Sequence, residues 1–143
     1  MSVNVASWIS RVVVAVVFVI NVWCALGFII DPSGYMGAYE LSGVSGKVAI
    51  QGIGVAFLMW NATYPLVIAN PMKHRTLFAI VLVQQLIGVA GESIILASLE
   101  PGHALLSASI LRFIAFDAGG LVLMSISFAL LVVAMRKASR LEP

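Results

Sequence analysis

The chain reads as an all-α protein, a four-helix transmembrane bundle with its N- and C-termini on the cytoplasmic side. Three observations predict this. Of 143 residues, 62% are hydrophobic and only 10% are charged, with a mean hydropathy of +1.09, whereas soluble domains average about 25% charged residues. Four apolar runs, at about 8–30, 45–69, 76–98 and 105–135, each exceed the roughly 20 residues that cross about 30 Å of hydrocarbon. Finally, the basic residues collect on one side of that pattern, as they do around cytoplasmic loops.

Past Ser10 and Arg11 at its start the first run carries Asn21, and Asp31-Pro32-Ser33-Gly34 stops it. Its length, and the lack of a small-x-small cleavage site before Asp31, make it a retained helix rather than a signal peptide. The loop from Asp31 to Gly46 is glycine-rich and holds Tyr35, Tyr39 and Met36. It has two readings, an interfacial cap or a lid over an outward-opening pocket. Asn70-Pro71 ends the second run and Glu100-Pro101-Gly102 ends the third. The fourth run is too long for an upright crossing, so it tilts or projects beyond the bilayer. The whole chain, 1–143, is taken as one integral membrane domain.

Orientation rests on Arg11, Lys73, Arg75, Arg136, Lys137 and Arg140, which flank the N-terminus, the second loop and the C-terminus. With four crossings these places share one side, and the first and third loops carry Asp31, Glu40 and Glu100 without a cation. The positive-inside rule then puts both ends in the cytoplasm. Trp8, Trp60 and Tyr64 are expected at the cytoplasmic interface, where amphipathic rings settle.

Several function classes drop out. The net charge of +2 comes from membrane flanks and forms no basic face, so nucleic acid is not a partner. A single thiol, Cys24, makes neither an internal disulfide nor a cysteine-rich metal site. His74 and His103 fall in loops on opposite sides and cannot share a haem. No Ser/His/Asp set, metal-spaced cluster or phosphate loop can be assembled, so no catalytic residue is assigned and no haem or metal is expected. A quinone or a lipid remains as a candidate ligand.

The polar residues inside the apolar runs carry the functional signal. On the third helix Gln84, Gln85, Gly88, Gly91 and Glu92 share an arc of roughly 120° at 100° per residue. Lys47, Gln51, Gly54, Leu58 and Asn61 form one face of the second helix. Ser109, Arg112, Phe116, Asp117 and Gly120 cluster on the fourth, and the first adds Asn21. Gln51, Glu92 and Arg112 lie at similar depth, roughly 9–11 Å below the outer ends of their helices. An isolated charge there costs at least about 2.5–3.5 kcal/mol, so pairing is expected. The expected pairs are Glu92 with Arg112 and Asp117 with Lys47 or a neighbouring polar group. The candidate ligand-binding residues are therefore Glu92, Arg112, Gln51, Lys47, Asp117, Gln85 and Asn21. They form either a structural network fixing helix register or a polar pocket open to the outside for a small anion, a head group or a quinone-like carbonyl.

These features together resemble the DoxX-like small four-helix membrane proteins. The similar positions are Arg11 opening the first helix, Pro32 closing it, and Lys47, Gly52 and Gly54 early in the second. Lys73 and Arg75 precede the third helix, which carries Gly88, Gly91, Glu92 and Ser93; Glu100-Pro101-Gly102 follows, and Asp117 sits on the fourth. In that family the third-helix charge is usually Arg and the second-helix charge acidic. Glu92 and Lys47 reverse both, which would keep an ion pair while changing the charge of the favoured ligand. The resemblance implies a four-helix membrane bundle, in some members tied to quinone-coupled sulfur oxidation or membrane redox complexes.

The expectation for function is a non-catalytic accessory or ligand-binding subunit of a membrane complex, in a bacterial inner membrane. Its partners would be the lipid bilayer and either further copies of itself or a larger assembly. Two alternatives stand beside it. One is a dimeric proton-coupled transporter of small solutes that uses Glu92; the other is the membrane subunit of a quinone-reducing oxidoreductase.

Overall fold

The computed structural model describes residues 1–140; residues 141–143, the end of the single domain assigned above, lie outside the described residues. Among the described residues every regular element is helical. Four helical stretches are long and apolar enough to cross a membrane: Val3–Ile30, Gly43–Ala69, Arg75–Ser98 and Ala104–Ser139.

Helix α1 (Val3–Ile30) starts at Ser2, whose hydroxyl accepts the Val5 amide at 3.4 Å, satisfying one of the amides that a helix start leaves free. It ends where Asp31 accepts the Gly34 amide at 3.3 Å and Pro32 opens the short helix α2 (Pro32–Met36). A 3₁₀ turn (Gly37–Tyr39) follows, so most of the first loop is a helical cap. The cap closes at Glu40, whose backbone is left-handed at φ 55°, a conformation costly for a residue with a Cβ. Glu40 is held there from outside: its carboxylate takes the Leu106 amide at 3.3 Å and His103 Nδ1 at 2.5 Å. The same contacts cap the start of the longest helix with a negative charge, where the helix dipole favours one.

The second apolar run is not one helix. Helix α3 (Gly43–Asn61) stops, Ala62 and Thr63 turn, and helix α4 (Tyr64–Ala69) resumes. Pro65 is the cause, because it lacks an amide proton and its ring collides with the carbonyl four residues earlier. Helix α5 (Arg75–Ser98) and helix α6 (Ala104–Ser139) complete the bundle. At 36 residues α6 is about 54 Å long, far more than an upright crossing needs. Its last turn carries Arg136 and Lys137, the sign that its dipole favours.

The helices pack as two pairs, α1 with α3 and α5 with α6, joined by an α1–α6 seam and by α4 wedged between α1 and α5. No comparable seam joins α3 to α5 or α6. The α1–α3 pair is close: a Cβ on Gly54 would stand 2.7 Å from the Ala25 carbonyl oxygen and 3.0 Å from Phe28 Cβ. Only a hydrogen at that position lets the two backbones approach. The half of the bundle towards the termini is filled by Val14, Val17, Tyr64, Val67, Phe78, Val81 and Met124, with Ala6, Leu131 and Ala134 packed nearer the termini. The outer surface is apolar. Trp23 is 78% exposed and Ile94 69% exposed, amid similar side chains on every long helix. Water would reject such a surface, and a bilayer would accept it.

Candidate functional site

In the half of the bundle under the cap the two helix pairs stand apart, and two adjoining cavities occupy the space between them. Both are bordered by Asn21, Phe57 and Phe113. The smaller, about 60 Å³, holds the carboxyl groups of Glu92 and Asp117 together with Gln85, Asn61 and the Trp60 ring. The larger, about 410 Å³, lies between α1, the cap and α6.

The floor of the small cavity is tied together by amides. Gln85 is 2% exposed. Its Nε2 donates to Asp117 Oδ1 at 2.8 Å and to the Asp117 carbonyl at 3.3 Å, while its Oε1 accepts the Tyr64 hydroxyl at 3.1 Å. Asn21 Nδ2 donates to Asn61 Oδ1 at 3.2 Å, and Asn61 Nδ2 returns to the Phe57 carbonyl at 2.8 Å. Gly88, one turn from both Gln85 and Glu92, makes the room: a Cβ there would lie 2.7 Å from Asp117 Oδ2. Each buried amide is thus used in full or nearly so, which the low dielectric demands.

The large cavity is aromatic. Phe28 meets Tyr35 edge-on at 4.7 Å between centroids and lies 6.0 Å from Tyr39 and from Phe57, while Phe57 meets Phe113 at 5.8 Å. Cys24 and Ile20 of α1 and Phe116 of α6 continue the wall. At one end the Ser109 hydroxyl donates to the Ala38 carbonyl at 2.7 Å, and Arg112 Nη2 donates to Ser109 Oγ at 3.2 Å. The cap is therefore bonded to α6 at two points, through Ser109 and through Glu40. Burial, the larger influence, together with Cys24 and Glu92 raises the Tyr39 phenol above its ordinary range, against a lowering by Arg112. Tyr39 is a neutral hydroxyl over the cavity.

The expected charge pairs do not form. Among the described residues the sole contact of 4.0 Å or less between opposite charges is His103 with Glu40. Glu92 faces the small cavity and Arg112 the large one, with Phe113 bordering both. Similar depth placed the two at one level, but their helices turn them to different sides of that ring. Asp117 bonds Gln85 instead of Lys47. Lys47 is exposed on α3, several turns above, and lines neither cavity. Gln51 sits in the α1–α3 seam, its Nε2 donating to the Ile29 carbonyl at 3.2 Å. Of the seven candidates, Asn21, Gln85, Glu92 and Asp117 come together around the small cavity, and Asn21 and Arg112 around the large one.

Tyr64 and Trp60 are not interfacial rings: Tyr64 is fully buried in the core and Trp60 lines the small cavity. They belong to the site, as do Asn61, Phe57 and Phe113. A signal for them was present, since Phe57, Trp60, Asn61 and Tyr64 follow the i, i+3, i+4, i+7 spacing of a single helical face. No group of three His, Cys, Asp or Glu able to hold a metal occurs among the described residues. The arrangement can hydrogen-bond, exclude water and hold a ring or chain against aromatic walls. No family model, curated protein or solved structure matches the chain.

Proposed function

We propose that this chain crosses a membrane four times with both termini cytoplasmic, and that it serves as a non-catalytic, ligand-binding subunit of a membrane assembly. In this reading it belongs to the DoxX-like type of small bundle and resides in a bacterial inner membrane. One observation carries the binding role: a 410 Å³ cavity lies under the cap, walled by Phe28, Tyr35, Tyr39, Phe57, Phe113 and Phe116. Its volume lies in the range of small-molecule sites, about 300–1,000 Å³. The half of the bundle towards the termini is packed with Val14, Val17, Tyr64, Phe78 and Met124, which suits holding a ligand better than passing one through. The apolar exterior supports the membrane, and the basic flanks support the orientation.

The test is mass spectrometry of small molecules released from protein purified in mild detergent, comparing the natural chain with Cys24→Trp, which fills the cavity. A species bound to the natural chain and missing from Cys24→Trp is the expected result. The same species on both, or none on either, would remove the pocket from the account. Solute flux in proteoliposomes that Glu92→Gln abolishes would replace it with the transporter.

A further inference from the structure

The large cavity has two properties that narrow its ligand, given that the pocket and the four-span reading hold. Its border includes Ile20, which is 45% exposed and sits ten residues before the outer end of α1, about 15 Å along the helix. In the four-span reading that depth is hydrocarbon, so the cavity opens sideways to lipid beneath the cap. Its polar end is bordered by Arg112, an exposed residue of α6 whose guanidinium has a hydroxyl partner, Ser109, and no carboxylate within 4.0 Å. A cation at the rim of an apolar cavity favours an anionic head there, and a guanidinium suits a carboxylate or phosphate fork better than a point charge.

We propose that the cavity receives a single-chain anionic amphiphile from the outer leaflet, its head on Arg112 and its chain along Phe28, Phe113 and Phe116 down to Ile20. The volume is at the small end for such sites and seats one chain or ring, not two. The carboxyl groups of Glu92 and Asp117 do not reverse the preference. They line the neighbouring 60 Å³ space, which admits a few waters at about 10–15 Å³ each and is far below the size of a chain-binding site. Arg112 is eight residues from the start of α6, about 12 Å, and its long side chain reaches upwards to head-group level.

Cys24, the only thiol of the chain, borders the cavity and reports its occupancy. The experiment measures Cys24 alkylation by N-ethylmaleimide in phosphatidylcholine nanodiscs as hexadecyl phosphate, hexadecanol or hexadecyltrimethylammonium is added. Hexadecyl phosphate should slow the reaction most and the ammonium least. Arg112→Gln should raise the hexadecyl phosphate needed by about ten- to a hundredfold, the range of a lost charge-assisted hydrogen bond. Arg112→Lys should recover part of it, and Arg136→Gln at the far end of α6 should leave the requirement unchanged. The three probes on the natural chain decide the matter even if Arg112→Gln fails to fold. Equal protection by hexadecanol overturns the anionic head and leaves the pocket standing. Protection by inorganic phosphate overturns the chain. If no probe protects, the amphiphile is wrong; the pocket falls too only if the Cys24→Trp comparison also shows no bound species.

Discussion

Replacing Gln85 with leucine tests whether the polar floor of the bundle is a bonded unit. Leucine nearly conserves volume, so the cavity term is small and the cost falls on lost hydrogen bonds. Three are lost: from the Tyr64 hydroxyl at 3.1 Å, and to Asp117 Oδ1 at 2.8 Å and the Asp117 carbonyl at 3.3 Å. Leaving the buried hydroxyl and carboxyl unsatisfied costs about 1–3 kcal/mol each in a protein interior. Cross-helix bonds in a membrane bundle average about 0.6 kcal/mol, giving about 2 kcal/mol for three. The two estimates meet near 2 kcal/mol, the expected loss for Gln85→Leu. The assay is reversible unfolding in mixed micelles, followed by Trp60 fluorescence in a Trp8→Phe, Trp23→Phe background. Asp117→Asn and the double variant complete a cycle, with an expected coupling of about 1 kcal/mol. A Gln85→Leu loss within about 0.5 kcal/mol, the range of an uninvolved surface change, or strictly additive effects, would refute the bonded floor.

Other expectations follow from single contacts. Gly88→Ala puts a Cβ 2.7 Å from Asp117 Oδ2 and must turn that carboxyl away from Gln85, costing about 1–3 kcal/mol in the same unfolding assay. Gly54→Val drives atoms into the Ala25 carbonyl, a backbone group that cannot step aside, so the α1–α3 seam opens and the yield of folded protein falls. The Glu40 carboxyl is held below its ordinary range, first by the His103 hydrogen bond, against an opposing effect of desolvation and with a smaller contribution from the Leu106 amide. A carboxyl with a lowered folded value stabilises the cap above its unfolded value, near 4.5, and that contribution disappears as pH falls through the folded one. The ratio of Cys24 alkylation in Glu40→Gln to that in the natural chain should therefore exceed one at neutral pH and approach one in acid. A ratio independent of pH would show that Glu40 does not hold the cap.

What the sequence made legible was what depends on length, composition and depth. Four helical stretches long and apolar enough to span could be read from hydropathy, because a bilayer imposes one length scale on any crossing. The stripe of Gln85, Gly88 and Glu92 could be read because helical periodicity puts those residues on one face. The facing of each stripe could not be read, since it is set by how the helices rotate against their neighbours. Arg112 and Glu92 lie at similar distances along the chain from the ends of their helices and still line different cavities, and Lys47, on the same nominal face as Asn61, is exposed while Asn61 is buried. Pro65 was visible, but hydropathy averaged across the turn that it causes. The expectation of paired charges also assumed that each charge lies fully within lipid. A cavity offers another arrangement, in which amides and a hydroxyl take the place of the counter-ion.

That arrangement follows from how the bundle is assembled. Towards the termini the α1–α6 seam and the wedge of α4 hold the two helix pairs together, and branched aliphatic side chains with Phe78 and Met124 fill the space between them. Past Gly120 nothing replaces α4, so α3 and α6 face each other across a gap that only ring-sized side chains can bridge, as Phe57 and Phe113 do at 5.8 Å. The cap then has a structural reason to exist: it covers the splayed end and is anchored to α6 by Ser109 and Glu40 and to Phe28 of α1 by Tyr35. Had the pairs been zipped to the top, Tyr35 and Tyr39 would have no cavity to lie over, and the exposed Arg112 would have no apolar chamber beside it. The open end, the aromatic lining and the guanidinium at its rim are thus three consequences of one packing choice, the short α4 that joins the pairs at one end only.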